Sequence, residues 1–263
     1  MLKKLLKYDL KSIFKFIIIF YSLSLFFSIF TRIFLNIKGS FIMNIIGQIC
    51  SGVTIAMVFN ILINNLIRLW VRFKNNFYKD ESYLTHTLPV EKNTLYLSKV
   101  ITSIITLFTS ILVIGLTLFI AYYSKENIEI LKNILLPVAS LYGSTIIKLL
   151  ISFLFVFFLE LFNALVAGYT GIIIGHKFNN NKVGLSVLFG FITYIIIQVF
   201  TVLSIFIVGL FNKDIMNLFF TNEMSNVGII NTIISLTIVI YTLTMIIQYY
   251  VSLKLFKKGV NVD

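Results

Sequence analysis

The sequence predicts an all-α membrane protein with six transmembrane helices, a basic amphipathic segment ahead of the first, and both termini on one side. Three observations carry that prediction. Of the 263 residues, 59% are hydrophobic and only 12% are charged, about half the charged share of an ordinary soluble domain. The apolar residues fall into six runs, each long enough for the roughly 20-residue helix that a bilayer core requires. The 22 Lys and Arg residues collect at the ends of those runs, where they set topology.

The net charge of +12 would also suit a nucleic-acid binder. Basic residues at span ends, rather than gathered in a patch, argue for membrane topology and against a nucleic-acid partner. A single cysteine, Cys50, excludes an intrachain disulfide framework and a Cys-based metal site. In the small-residue stretch Cys50-Ser51-Gly52 it reads as a packed side chain.

Residues 1–12 place Leu2, Leu5, Leu6 and Leu10 on one helical face, with Lys3, Lys4, Lys7 and Lys11 largely on another. That pattern fits a helix in the membrane interface with its lysines near anionic headgroups. It fits equally a cytoplasmic extension of the first span. The run from Ile13 to about Leu35 is too long for the apolar core of a signal peptide, and no small-residue cleavage site closes it. It reads as a retained first helix.

The spans are expected at 13–36, 41–71, 97–123, 143–175, 184–211 and 229–253. The second and fourth exceed what a ~30 Å core needs, so they must tilt, kink or project beyond it. With the N-terminus inside, sixteen of the 22 basic residues lie on the inner side and six on the outer. The excess makes both termini cytoplasmic. Connections are short, so residues 1–263 read as one transmembrane domain without a second globular unit. Outside, 124–142 carries Glu126, Glu129 and Pro137 as a connection. The apolar part of 212–228 is too short to span and must either re-enter the outer leaflet or lie flat on it. Trp70, with Arg68 and Arg72, reads as an anchor at the inner interface.

The inner loop 72–96 is the most informative connection. Asp80 is placed to cap a short helix, Glu81 to sit in its first turn, and Pro89 to stop it by disfavouring helix at Leu88. Such a helix would present Tyr83 and Leu84 as anchors for a partner's groove. The residues allow equally a loop folded onto the membrane surface.

The pattern Asp80-Glu81-Ser82-Tyr83-Leu84-Thr85-x-Thr87-Leu88-Pro89-Val90, followed by Leu97-Ser98-Lys99, resembles the permease subunits of bacterial ABC-2 type exporters. The layout is similar along the whole chain: interfacial N-terminal helix, six spans, both ends inside and an outer re-entrant stretch, as in type V exporters. The specific motif is this loop of about twenty residues. The resemblance implies that residues 79–89 form the coupling helix that docks on a separate ATP-binding subunit. Asp80, Glu81, Tyr83 and Leu84 would be the main contacts, and Ser82, Thr85, Thr87, Leu88 and Pro89 lesser ones. His86 stands where the family varies. It further implies a second permease subunit, surrounding membrane lipids and a bacterial plasma or inner membrane. The cargo would be hydrophobic or amphipathic, with antimicrobial peptides the best match. No G-x-x-x-x-G-K-[ST] loop occurs. The nearest stretch, Gly168 to Lys177, has His176 where the lysine belongs. ATP and Mg would thus be bound by the partner chain, with no cofactor, catalytic or metal site in this one.

Within the spans, Glu160 lies near the middle of the fourth, in Phe157-Phe158-Leu159-Glu160-Leu161-Phe162-Asn163. A carboxylate at that depth costs roughly 2.5–3.5 kcal/mol on insertion scales, so it should face other helices and have a partner. It reads either as a contact for a cationic or amphipathic substrate or as a structural hydrogen-bonding group, and Asn163 shares that choice. Lys148, ~18 Å away along the helix, is too far to pair with it. Asn60, Asn64 and Asn65 either line a polar passage or bond across helices, the latter preferred. Gly171 and Gly175 form a G-x-x-x-G step that permits close helix approach.

Other classes are less well served. An intramembrane enzyme lacks H-E-x-x-H and G-x-S-x-G, and the two histidines fall in inner loops. An ion-coupled carrier would show paired halves and several buried acids. A peptide-immunity protein would need neither an ATPase nor the loop.

Overall fold

The computed structural model describes residues 1–37, 39–220 and 229–258, which form only helices and their connections. Among the described residues, six helices are long and apolar enough to cross a membrane: α1 (Leu2–Asn36), α2 (Phe41–Tyr78), α4 (Lys92–Tyr122), α6 (Ile146–Gly175), α7 (Lys182–Phe211) and α9 (Ile229–Lys257). They make the chain a multi-pass membrane protein. Shorter helices are α3 (Ser82–Thr87), α5 (Lys125–Tyr142) and α8 (Lys213–Phe220). The chain divides into two compact units, Met1–Ile128 and Glu129–Asp263.

In Met1–Ile128, α1 packs on α2 and α4, and α3 packs on α2. No Gly or Pro interrupts α1. Its buried stripe is Asp9, Ile13, Ile17, Tyr21, Ser24, Ser28 and Thr31, repeating every three or four residues, while Ile18, Ile19, Phe26 and Ile33 are exposed. This inverts the soluble-protein pattern, because lipid receives the large apolar groups and small hydroxyls mediate helix contact. The separate interfacial helix expected at residues 1–12 is therefore corrected: the segment continues α1 without a break. Asp9 supplies the reason, since it is buried and ion-paired to other helices.

The expected loop 72–96 is also largely helical. Ser40 accepts a hydrogen bond from Met43 N to start α2, which then runs 38 residues, roughly 57 Å at 1.5 Å per residue. Phe73, Asn76, Phe77 and Tyr78 at its end are buried, so packing carries the helix past the basic residues that marked its expected end. Only residues 79–81 and 88–91 remain outside helices.

In Glu129–Asp263, α6 packs against α7 and α9, and α8 against α7 and α9. Gly171 and Gly175 face Ser186 and Gly190. A Cβ at Gly171 would strike the backbone of Gly190, and one at Gly175 the backbone of Ser186. The G-x-x-x-G step thus serves contact within the chain.

The stretch 124–142, expected as a connection, is the helix α5 with Pro137 inside it. It ends where Gly143 adopts φ 69°, a left-handed value that glycine takes without steric cost. Ala139 and Tyr142 of α5 pack with Leu149 and Ile234. The first part of the expected re-entrant stretch is helix α8, and residues 221–228 lie outside the described residues.

Candidate functional site

The most highly charged place among the described residues lies in Met1–Ile128, where α1, α2, α3 and α4 bring together two acids and two bases. Lys99 of α4 donates to both oxygens of Asp9 on α1, each at 2.7 Å, and also to Asn76 of α2. Arg72 of α2 bridges the acids: its Nε reaches Asp9 at 3.2 Å and its NH1 reaches Glu81 at 2.6 Å. Asn76 donates to the other oxygen of Glu81. Asp9 and Lys99 are buried, whereas Glu81 is partly exposed. Formal charges cancel, and each buried ion has an opposite charge in contact, the condition under which such groups persist away from water.

Glu81 is the N-cap residue of α3, so this cluster fixes the short helix to α2 and, through Asp9 and Lys99, to α1 and α4. His86 adds a contact to Phe77 O at 3.1 Å. Ser82 is buried, Thr85 donates to Glu81 O at 2.9 Å, and Thr87 donates to Tyr83 O at 3.0 Å. The other face is bare: Tyr83 is 82% exposed and Leu84 73%. Leu88, Asp80 and Pro89 are exposed as well.

Two local expectations need correction. The helix has no side-chain cap, so Asp80 does not cap it, and Glu81 sits at the N-cap rather than in the first turn. The attraction of Glu81 to Arg72 and Asn76 explains its inward turn. Arg72, expected beside Trp70 as an interface anchor, likewise points into the ion cluster, while Arg68 lies over the Phe16 ring at 3.9 Å.

Asn60 and Asn64 depart from the cross-helix bonding preferred for them. Each donates to the carbonyl four residues back, Ala56 O at 3.0 Å and Asn60 O at 2.9 Å, so these bonds stay within α2. Asn65 does cross, donating to Ser110 on α4 at 2.7 Å, and Ser110 shares a hydrogen bond with Tyr21 of α1 at 2.8 Å. Ser24 with Thr117, Thr31 with Thr54 and Ser51 with Tyr122 continue the series.

In Glu129–Asp263 a second polar series runs along α6. Glu160 Oε1 accepts from Tyr194 at 2.5 Å and Gln198 at 2.7 Å, both on α7. Tyr241 of α9 also faces this carboxylate. The second oxygen, Oε2, is buried. One turn on, Asn163 donates to Leu159 O and Tyr241 O and accepts from Thr244 and Gln248. Thr170 meets Ser252 at 2.5 Å.

Sequence reasoning missed Asp9, Asn76, Arg72 and Lys99 as a group. One signal was available: Asp9 is the sole acid before Asp80. No family model matches the chain, and neither curated proteins nor solved structures give a match.

Proposed function

We propose that this chain is the membrane-spanning permease subunit of an ABC-2-type exporter, and that α3 is where a separate ATP-binding subunit docks. The observation that carries the reading is the two-sided character of α3. Its Glu81 end is tied by ions to three long helices, while Tyr83 and Leu84 stand free. An exposed aromatic beside an exposed aliphatic is the composition of an interface anchor. A docking helix must also pass force onward, and the ion cluster is a rigid connection from α3 into α1, α2 and α4. The loop motif 80–90 and the excess of basic residues on one side support the same reading.

Two such subunits would pair with two ATPase chains, whose closure would pull on α3 and reorient the helices as a rigid-body switch. Both termini would be cytoplasmic, in a bacterial plasma or inner membrane. The cargo would be hydrophobic or amphipathic, with amphipathic peptides the best candidate class.

The test is co-purification with an ATP-binding subunit encoded beside this chain, comparing wild type with the Tyr83→Ala, Leu84→Ala double variant. A complex with ATPase activity that is lost in the double variant is expected. A double variant that still binds and stimulates the ATPase would overturn the docking role of α3.

A second reading, an ion-coupled carrier, draws on the buried Oε2 of Glu160. It predicts transport that needs a proton or cation gradient, no ATPase, and an acid at position 160.

A further inference from the structure

Along α1, Lys4, Lys7, Lys11 and Lys15 are all exposed. Steps of three, four and four residues put them on one face of the helix. Similar steps continue that face through Ile18, Ser22, Phe26, Ile29 and Ile33, which are exposed as well. Asp9, Ile13 and Ile17, each two residues on from a lysine, lie on the buried side. The lysines therefore point away from α2 and α4, in the direction in which the same helix meets lipid.

Their level relative to the bilayer follows from the charges. α1 carries no charged residue from 16 to 31, and α2 none from 41 to 67. Lys15 and Arg32 close that interval in α1 about 26 Å apart, near the thickness of a hydrocarbon core once both side chains extend outward. In α2 it closes at Arg68, whose guanidinium lies over the Phe16 ring at 3.9 Å. Lys15 and Arg68 thus mark one level, the edge of the hydrocarbon. Lys11 is about 6 Å beyond it and Lys7 about 12 Å, against a headgroup zone of roughly 5–8 Å per leaflet. Lys4, about 17 Å beyond, lies clear of that zone. Among the described residues none of these cations forms an ion pair, because Asp9, the sole acid before Asp80, faces Lys99 and Arg72.

We propose that Lys11, Lys15 and Arg68 bind the phosphates of anionic phospholipids in the leaflet around this end of α1, with Lys7 adding a longer-range attraction. Cations without counter-ions call for an anion, and position selects which one. The lysines share a face with the lipid-exposed Ile18 and Phe26, and Lys11 and Lys15 stand at headgroup level. An acidic surface on a soluble protein would meet Lys4 and Lys7 first, since these project furthest from the membrane. The inference does not rest on the docking role of α3.

The test is photolabelling of the full chain in phosphatidylcholine nanodiscs, with trace phosphatidylglycerol or trace phosphatidylcholine carrying the same diazirine near the headgroup. Phosphatidylglycerol is expected to label the helix segments around Lys15 and Arg68 about fivefold more than phosphatidylcholine, the preference one basic residue supplies near an anionic surface. Raising NaCl from about 0.1 M to about 1 M should bring the two together, as the Debye length falls from about 10 Å to about 3 Å. Sodium phosphate at matched ionic strength should do no more than chloride. Lys11→Gln with Lys15→Gln should cut the preference below about twofold, Lys11→Arg with Lys15→Arg should keep it, and Lys3→Gln with Lys4→Gln should leave it unchanged. These side chains are exposed, so all three variants should keep the wild-type Tm. Equal labelling by the two lipids in the wild type overturns the proposal and leaves an acidic protein surface as the occupant. A preference that survives in full in the Gln variant of Lys11 and Lys15, or in high salt, overturns it as well. Stronger competition by phosphate than by chloride overturns lipid as the source.

Discussion

In Met1–Ile128 the polar contacts between long helices end in four full charges, Asp9, Arg72, Glu81 and Lys99. In Glu129–Asp263 the corresponding contacts among the described residues are mostly amides and hydroxyls, with the carboxylate of Glu160 among them. The difference bears on what each unit does. Neutral groups hold helices together while tolerating small shifts, because their individual energies are low. A buried ion pair has few alternative arrangements, since parting Lys99 from Asp9 would leave the Lys99 ammonium buried without an opposite charge in contact. The unit with the charges is also the one that holds α3, with its exposed Tyr83 and Leu84. Rigidity is therefore concentrated where the proposed partner would push.

The largest effect that could break this contrast is expected from Lys99→Met, which leaves Asp9 buried without its main counter-ion. A loss of about 3–5 kcal/mol follows from the usual cost of stranding one member of a buried pair, read as a large fall in Tm in detergent. Adding Asp9→Asn should recover much of it. A single variant as stable as wild type would show the cluster to be incidental.

Next in size is Gly171→Val in the other unit. The added side chain meets the backbone of Gly190, and a cost of about 1–3 kcal/mol or more is expected from overpacking. Cysteine cross-linking between α6 and α7 should weaken while α1–α2 cross-links persist. If both weaken equally, the two units do not respond as separate bodies.

Smaller again is Glu160→Gln. The amide oxygen can still accept from Tyr194 and Gln198, so stability should change by less than about 1 kcal/mol. Transport assays then separate the readings: an ATP-driven permease should retain activity, whereas a carrier that uses the carboxylate should lose it. The least effect is expected from Ser24→Ala, whose bond to Thr117 is worth about 0.6 kcal/mol by analogy with other membrane helices.

The spans were legible because apolar runs of that length have one comfortable solvent. The exposed pair Tyr83 and Leu84 was legible too, since Pro89 and the polar residues around them bracket a short element. Other features were hidden for physical reasons. Pro137 and four charged residues made α5 look like a connection, although a proline late in a helix is compatible with continued packing through Ala139 and Tyr142. The overrun of α2 was masked by basic residues that normally mark a membrane boundary. The pairing of Asp9 with Lys99 joins positions 90 residues apart, and no local periodicity reports such a contact. Glu160 was expected to have a partner, but only packing of α6 on α7 could identify Tyr194 and Gln198.

The most direct measurement is site-specific photo-crosslinking in living cells from p-benzoylphenylalanine at position 84, with position 211 as control because Phe211 is also highly exposed. The account predicts an adduct between position 84 and an ATP-binding subunit, identified by mass spectrometry, and none from position 211. An ATP-binding subunit absent from the position-84 adducts, or recovered equally from both positions, would contradict it.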